Sequence, residues 1–144
     1  MKYLLDTCVL SELIKKKPDQ RVVEWISGIE ESKLFVSVLT IGEIHKGIEK
    51  LPRSGRREML LRWVDEDLPE RFRGRIIPFD LRSAAVWGKM QATAEMAGKT
   101  MPIIDGMIAA TAATHNLAVA TRNISDMEAG NAVLINPWDE DLSA

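Results

Sequence analysis

Short apolar runs alternate with amphipathic segments along the whole of this chain. The apolar runs predict five strands, at residues 2–5, 33–37, 75–79, 117–121 and 132–136. The segments between them have apolar residues at helical spacing and predict helices at residues 9–17, 20–29, 40–50, 56–72, 81–97 and 105–115. Strands that alternate with helices form βαβ units. The sequence therefore predicts an α/β fold with a central, mainly parallel, five-stranded sheet flanked by helices.

The size and composition of the chain suit a single soluble domain. With 144 residues, one domain with one core over residues 1–144 is expected. No apolar stretch approaches the roughly 20 residues needed to span a bilayer, and Asp6 interrupts the apolar start that a signal peptide would need. The single cysteine excludes an internal disulfide and suits a reducing compartment. We therefore predict a cytoplasmic protein without a membrane segment.

Basic residues are unevenly distributed along the chain. The net charge of −2 excludes binding of nucleic acid by bulk attraction. Residues 50–75 nevertheless contain eight Lys and Arg against five acidic residues, whereas the rest of the chain has 11 basic and 16 acidic residues. Two interpretations stay open for this segment: a solvated helical hairpin, or a patch that steers phosphates towards an acidic site.

Four acidic residues lie where predicted strands lead into helices. Asp6, Glu43, Asp105 and Asp126 are far apart in sequence, and each follows an apolar run. In an open α/β sheet, residues just past the strand ends converge on one crevice. Carboxylates gathered in a crevice repel each other, and a hard cation such as Mg²⁺ can hold them together. This pattern predicts metal-assisted hydrolysis of a phosphodiester bond.

Each of these acids also has a structural interpretation. Thr40 and Glu43 fit a capping box at the start of a helix. Asp105 can open a helix, where its charge complements the helix dipole, and Asp126 lies in a plausible turn. Asp6 is harder to explain in this way because it ends a buried strand. Asp105 begins an otherwise apolar helix, and a charge in such a place usually has a partner or a task.

Five motifs occur in a fixed order along nearly the whole chain. They are Leu5-Asp6-Thr7 with Leu10-Ser11-Glu12, Thr40-Ile41-Gly42-Glu43, Pro102 to Ala112, Ala120 to Met127, and Leu134-Ile135-Asn136-Pro137-Trp138. Together they resemble the motifs of PIN domains, although no single one is specific. Within that family the sequence is most similar to the VapC/FitB-like toxins of bacterial toxin–antitoxin pairs.

This resemblance implies a Mg²⁺-dependent endoribonuclease, with Mn²⁺ as a substitute, that hydrolyses RNA phosphodiester bonds as a toxin. It implies that Asp6 and Asp105 are the principal metal-binding aspartates and that Glu43 is the third catalytic acid. Asp126 lies in the segment that carries the fourth. Many PIN domains have a further acid where this chain has Asn123, so the resemblance leaves open whether Asn123 or Asp126 takes the fourth-acid role.

The resemblance also implies supporting residues and partners. Thr7, Thr121 and Asn123 are expected beside the substrate or a metal-bound water. The candidates for contacts with RNA in the basic segment are Arg53, Arg56 and Arg57. The implied partners are an RNA substrate, a cognate antitoxin protein and a second copy of the chain, so that both a homodimer and a toxin–antitoxin hetero-oligomer are expected.

Two alternative functions compete with this hypothesis. A receiver-type phosphoacceptor domain is also a small α/β fold, but it would need an acidic pair after the first strand and a Lys after the last. Here Thr7 and Cys8 follow Asp6, and Thr121-Arg122-Asn123 contains no Lys. The second alternative is a catalytically inactive PIN-like binding scaffold. The presence of all four acids argues against it without excluding it.

Overall fold

A computed structural model describes residues 1–130 and 132–139. These residues form five strands in one sheet: β1 (Tyr3–Leu5), β2 (Leu34–Ser37), β3 (Ile76–Ile77), β4 (Ala118–Ala120) and β5 (Leu134–Ile135). The strand order is β3-β2-β1-β4-β5, and every pairing is parallel. The predicted five-stranded α/β fold is confirmed, with strands shorter than predicted. The predicted domain of 1–144 includes residue 131 and residues 140–144, which lie outside the described residues.

Helices cover most of the chain between the strands. They are α1 (Thr7–Leu13), α2 (Gln20–Ser27), α3 (Val38–Glu49), α4 (Gly55–Arg62), α5 (Leu68–Arg71), α6 (Leu81–Met96), α7 (Ile103–Thr114) and α8 (Ile124–Met127). Short 3₁₀ turns occupy Glu31–Lys33 and Glu128–Gly130, and a π-helical turn occupies Trp63–Asp67. Within the described ranges, no helix has the length and apolar character needed to cross a membrane.

The sheet lies between two apolar layers. Successive residues of a strand point to opposite faces, so Leu5 packs in one layer and Leu4 in the other. The first layer contains Phe72 and Val64, and the second contains Ile108 of α7. α7 is largely buried, as its apolar sequence predicts. Burial of both faces explains why the strands are continuous apolar runs.

The strand order reverses beside β1. The chain proceeds from β1 to β2 and β3 on one side, and β4 and β5 lie on the other side. In open α/β sheets such a topological switch point forms a crevice outside the carboxyl ends of the strands, where ligands bind. Asp6 follows β1 directly and Thr121 follows β4. The fold therefore brings these two residues together at the position where a binding crevice is expected.

The predicted helix at residues 56–72 contains a wide turn on the amino-terminal side of Pro69. α4 ends at Arg62, and the amide of Leu68 donates to the carbonyl of Trp63, five residues earlier. A proline inside a helix has no N–H, and its ring clashes with the carbonyl four residues before it. A π-helical turn relieves this conflict because it widens the backbone locally. The helix predicted over residues 56–72 is therefore interrupted by a π-helical turn at Trp63–Asp67.

α3 begins earlier than predicted, and this changes the interpretation of Glu43. The N-cap is Ser37, whose hydroxyl accepts a hydrogen bond from the Leu39 amide at 3.0 Å. Thr40 lies inside the helix and is buried, and its hydroxyl has no hydrogen-bond partner among the described residues. The capping-box interpretation of Thr40 and Glu43 is therefore wrong, since the helix begins at Val38.

Replacing Ser37 with Ala should lower the free energy of unfolding by about 1 kcal/mol, because the helix loses its N-cap. Thr40→Val should leave that free energy unchanged or raise it, because it removes a buried hydroxyl that has no partner and keeps the side-chain volume. Urea unfolding of both variants measures the two effects. A larger loss of stability for Thr40→Val than for Ser37→Ala would contradict the observed start of α3.

Candidate active site

Asp6 lies at the switch point and is 2% exposed. Its carboxylate caps α1 by accepting the Thr7 amide at 2.8 Å, and it also accepts the Thr121 hydroxyl at 2.7 Å and the Cys8 thiol at 3.8 Å. Burial raises the pKa of Asp6, although these three hydrogen bonds act to lower it. The carboxylate is therefore held in one orientation in a place where its charge is costly.

Thr121 connects the end of β4 to Asp6. Its buried hydroxyl donates to Asp6 and accepts a hydrogen bond from the backbone N–H of Asn123 at 2.9 Å. The Asn123 side chain is exposed and forms no hydrogen bond with the described part of the chain. Of these two predicted supporting residues, Thr121 contacts an acid through its side chain, and Asn123 contributes only its backbone.

Glu43 reaches the same crevice from α3. Its Oε1 accepts a hydrogen bond from the Thr7 hydroxyl at 2.7 Å, and the Thr7 amide donates to Asp6. Thr7 thus contacts two of the four predicted acids, one through its backbone and one through its side chain. This contact couples the start of α1 to α3, across 36 residues of sequence.

Asp105 is half-buried in the first turn of α7. Burial, and then the charges of Asp6, Glu43 and Asp126, raise the pKa of Asp105 to about 6. Charges shift a pKa in this way only when they are close, so the structure brings the four predicted acids into one region. Within residues 1–130 and 132–139, none of these four carboxylates forms an ion pair with a Lys, Arg or His.

Close packing of α7 against α6 fixes the position of Asp105. A Cβ atom at the neighbouring Gly106 would lie 3.0 Å from Oε1 of Gln91 and 3.1 Å from Cε of Met101. The amide of the Gln91 side chain also donates to the Met101 carbonyl at 3.0 Å. A larger residue than glycine would therefore require the side chains of Gln91 and Met101 to move by a few tenths of an ångström.

Cys8 lies beside Asp6 and Thr121 but is not activated as a nucleophile. Burial and the charge of Asp6 raise the pKa of the Cys8 thiol. A thiol with a raised pKa stays protonated at neutral pH and is a poor nucleophile. The chemistry of the crevice therefore depends on its carboxylates.

The three arginines predicted to contact RNA differ in their surroundings. Arg57 pairs with Glu49 at 2.9 Å, and its side chain is only 19% exposed. Arg53 and Arg56 are exposed and form no ion pair with any residue that the structure describes. Arg56 lines a cavity whose wall includes Glu43. Contact with RNA stays a prediction for all three, and Arg56 has the position best suited to it.

Trp63, for which no sequence pattern predicted a role, lines the same cavity as Arg56 and Glu43. Arg56, Leu60 and Trp63 are spaced at i, i+4 and i+7, so they share one helical face. That spacing is visible in the sequence. What the face packs against is visible only in the structure.

The donor set of the crevice fits a hard cation. Its four acids offer the oxygen ligands that Mg²⁺ and Mn²⁺ accept. The raised pKa of Asp105 reflects its burial first and then the negative charges of the other three acids. In the described ranges, however, no three His, Cys, Asp or Glu side chains lie together as a group that could hold a metal ion. Mg²⁺ usually binds through one or two carboxylates together with waters and substrate phosphates, so an open crevice suits it.

Thr121→Val should lower the free energy of unfolding by about 1.5–3 kcal/mol, because a hydrogen bond to a buried carboxylate is lost. Thr111→Val is a matched control. Thr111 is equally buried, but its hydroxyl donates at 2.8 Å to the Met107 carbonyl within its own helix, so a smaller loss is expected. Thermal unfolding of the two variants checks this prediction. Equal losses would argue against a specific contribution of the bond to Asp6.

Comparisons with known proteins extend over nearly the whole chain. The sequence model of the PIN domain matches residues 3–125. The chain is 37% identical over 136 residues to the VapC ribonuclease Y4jK of Sinorhizobium fredii, which covers 94% of this chain and 97% of that protein. It is 34% identical over 137 residues to the toxin FitB of Neisseria gonorrhoeae, and the match covers 95% of this chain and 99% of that toxin. The crystal structure of FitAcB from Neisseria gonorrhoeae superposes with a TM-score of 0.89 at 34% identity, covering 94% and 98%.

Proposed function

The chain belongs to the PIN domain family, and we propose that it is an endoribonuclease that hydrolyses RNA phosphodiester bonds as the toxin of a toxin–antitoxin pair. The observation that carries this proposal is the contact of Thr7 with two of the acids, since its amide donates to Asp6 at 2.8 Å and its hydroxyl donates to Glu43 at 2.7 Å. Carboxylates that converge on the switch point of the sheet suit phosphodiester hydrolysis. Relatives named VapC ribonuclease and toxin FitB, which match over almost their full lengths, support the same activity.

PIN-domain ribonucleases depend on a metal, and we propose Mg²⁺, with Mn²⁺ as a substitute, as the ion. Asp6 and Asp105 would hold it, and Glu43 and Asp126 would complete the site. When bound, such an ion polarises a phosphate oxygen and lowers the pKa of a coordinated water. We assign the fourth-acid role to Asp126 because its charge acts on Asp105, whereas the side chain of Asn123 is neutral.

The residues of the chain contribute orientation and proton transfer. The Thr7 hydroxyl holds one oxygen of Glu43, and the other forms no hydrogen bond with the described residues, so Glu43 can orient an attacking water and accept its proton. Asp6 is held by Thr121 and by the amide of Thr7, which supports a fixed position for a ligand carboxylate. With a pKa of about 6, Asp105 is ionised at neutral pH and available to a cation.

Cleavage of RNA by the purified, antitoxin-free protein tests this function. Total cellular RNA and structured RNAs are incubated with Mg²⁺, with Mn²⁺ and with EDTA, and the ends of the fragments are mapped. We expect defined endonucleolytic fragments with either metal and none with EDTA. Equal cleavage in EDTA would contradict the metal site. A folded protein that cleaves no RNA under any condition would support the alternative of a catalytically inactive binding scaffold. The other alternative, a receiver-type phosphoacceptor domain, is not supported, because the chain belongs to the PIN domain family.

The proposal includes an antitoxin that inhibits by covering the crevice. Because no described Lys or Arg neutralises the four acids, a cationic side chain of the antitoxin could take the place of the metal there. A structure of the toxin–antitoxin complex tests this, and an antitoxin bound wholly on the opposite side of the sheet would contradict it. A homodimer, to be checked by light scattering, and a cytoplasmic location are further parts of the proposal.

A further inference from the structure

A cavity of about 340 Å³ adjoins the acidic crevice. Thr7 and Glu43 belong both to its wall and to the crevice, and they are hydrogen-bonded to each other. Most of the remaining wall is apolar and comes from α1, α3 and α4 and from residues just after them, with Ile44, Ile48 and Trp63 among its residues. A molecule in this cavity would therefore lie directly beside the proposed site of hydrolysis.

Trp63 gives the cavity an aromatic wall. It is half-buried and is the first residue of the π-helical turn between α4 and α5. Such turns occur frequently at functional sites. A partly exposed indole ring offers a flat face on which a nucleobase can stack, and single-stranded RNA is commonly recognised in this way.

The rim of the cavity is basic. Arg56 is exposed and has no ion-pair partner among the residues that the structure describes. Lys15 pairs with Glu12 at 2.9 Å, but its side chain stays 55% exposed. The net charge of the protein is negative, so cations beside an apolar cavity indicate local complementarity to a phosphate.

We propose that this cavity binds the base of a nucleotide next to the scissile phosphate, stacked on Trp63, with a neighbouring phosphate on Arg56. The proposal rests on the ribonuclease function proposed above. A cavity of about 340 Å³ is at the lower end of the range for small-molecule sites, about 300–1,000 Å³. It can hold one base, whereas a helix of a partner protein is about 10–12 Å wide. An apolar side chain of the antitoxin is the competing occupant.

Gly47 allows the cavity to be filled without damage to the fold. It lines the cavity within α3, and a Cβ atom added there meets no atom within 4 Å. Leucine favours helix more than glycine does, so Gly47→Leu should fold and occupy the space of the base. Gly88→Leu is a matched control, because a Cβ at Gly88 also meets nothing within 4 Å and Gly88 lies on α6, away from the cavity wall.

The test uses a short RNA whose cleavage site has been mapped with the wild-type protein. Single abasic nucleotides are introduced at each position flanking that site, and kcat/KM is measured. One abasic position should cost the wild type about 5- to 140-fold, which is 1–3 kcal/mol per stacked base at 1.4 kcal/mol per tenfold. Trp63→Leu and Gly47→Leu should lose a similar factor on the intact RNA and cleave that abasic RNA as the wild type does.

Further controls separate the base from the phosphate. Trp25→Leu removes a half-buried tryptophan that packs on Tyr3, at the opposite end of β1 from Asp6, and should not change cleavage. Arg56→Gln should raise KM and lower the salt dependence of binding by about one phosphate contact. Arg62→Gln is the control for this variant, because it changes the net charge by the same amount on α4 but lies outside the cavity wall. It should leave KM and the salt dependence of binding unchanged.

The proposal would be overturned if Trp63→Leu and Gly47→Leu lost the same factor in kcat/KM on abasic RNA as on intact RNA while their melting temperatures stayed unchanged. The proposal would also be overturned if both variants cleaved RNA as the wild type does but were inhibited less strongly by the antitoxin. That result would assign the cavity to the antitoxin. A wild-type protein that cleaves no RNA would instead refute the ribonuclease function itself, before any variant is compared.

Discussion

Asp105→Asn should lower RNA cleavage about a hundredfold or more while leaving the protein folded. Asparagine keeps the size of the side chain but cannot supply a full negative charge to a metal. Stabilisation of the transition state by a bound metal amounts to several kcal/mol, and at 1.4 kcal/mol per tenfold its loss corresponds to about a hundredfold or more in kcat/KM. Cleavage of a mapped RNA in Mg²⁺ measures this effect. Asp6→Asn and Glu43→Gln should also lose most activity.

The same variant should be more stable than the wild type in the absence of metal. Because burial and three neighbouring carboxylates raise the pKa of Asp105 to about 6, its ionised form is destabilising at pH 7. Removal of that charge should raise the free energy of unfolding by about 1 kcal/mol, once the screening of a half-exposed group is allowed for. Mg²⁺ at a hundredfold excess over Kd should stabilise the wild type by about 2.7 kcal/mol, and Asp105→Asn should lose most of that gain.

Asp80→Asn is the matched control for this experiment. Asp80 caps α6 by accepting the Ser83 amide at 2.9 Å, and that hydrogen bond lowers its pKa. Asparagine caps helices about as well as aspartate, so this variant should cleave RNA normally and keep the full Mg²⁺ shift. If Asp105→Asn behaves like Asp80→Asn in cleavage and in melting with Mg²⁺, the metal site assigned here is wrong.

The affinity for Mg²⁺ should fall about tenfold per pH unit below pH 6, because a proton must leave Asp105 before an ion can bind. The pKa of about 6 sets the pH at which the fall begins. Above pH 7 the carboxylate is already ionised, so the affinity should be nearly constant. Calorimetric titration with Mg²⁺ between pH 5 and pH 8 checks this, and Asp105→Asn should show weak affinity at every pH.

The stability of the metal-free protein should show the opposite dependence on pH at this residue. In the folded state the pKa of Asp105 is raised from 3.8 to about 6, so the folded protein binds more protons between these values. The stability that Asp105 contributes is fully present below its unfolded pKa and is lost as the pH rises through about 6. The stability difference between Asp105→Asn and the wild type should therefore develop between pH 4 and pH 7. If the stability difference between the two proteins is the same at pH 4 and at pH 7, titration of Asp105 is not its cause.

Local sequence patterns were sufficient for the architecture of this protein. The five strands, their order along the chain and the buried helix at Ile103–Thr114 follow from apolar runs and helical spacing, which act over a few residues. Parallel pairing follows from the alternation of strands and helices. Acids at strand ends could be identified for the same reason, since a strand end and the residue after it are neighbours in sequence.

Only the tertiary structure decided how the acids are held and what surrounds them. Thr7 bonds Glu43 across 36 residues and Thr121 bonds Asp6 across 115, and no local pattern encodes such pairings. The pKa of Asp105 depends on its burial and on the charges of three acids that are remote in sequence. The cavity beside Glu43 exists because faces of α1, α3 and α4 meet there. These properties arise from burial and from the distances between groups remote in sequence, which are defined only once the helices have packed on the sheet.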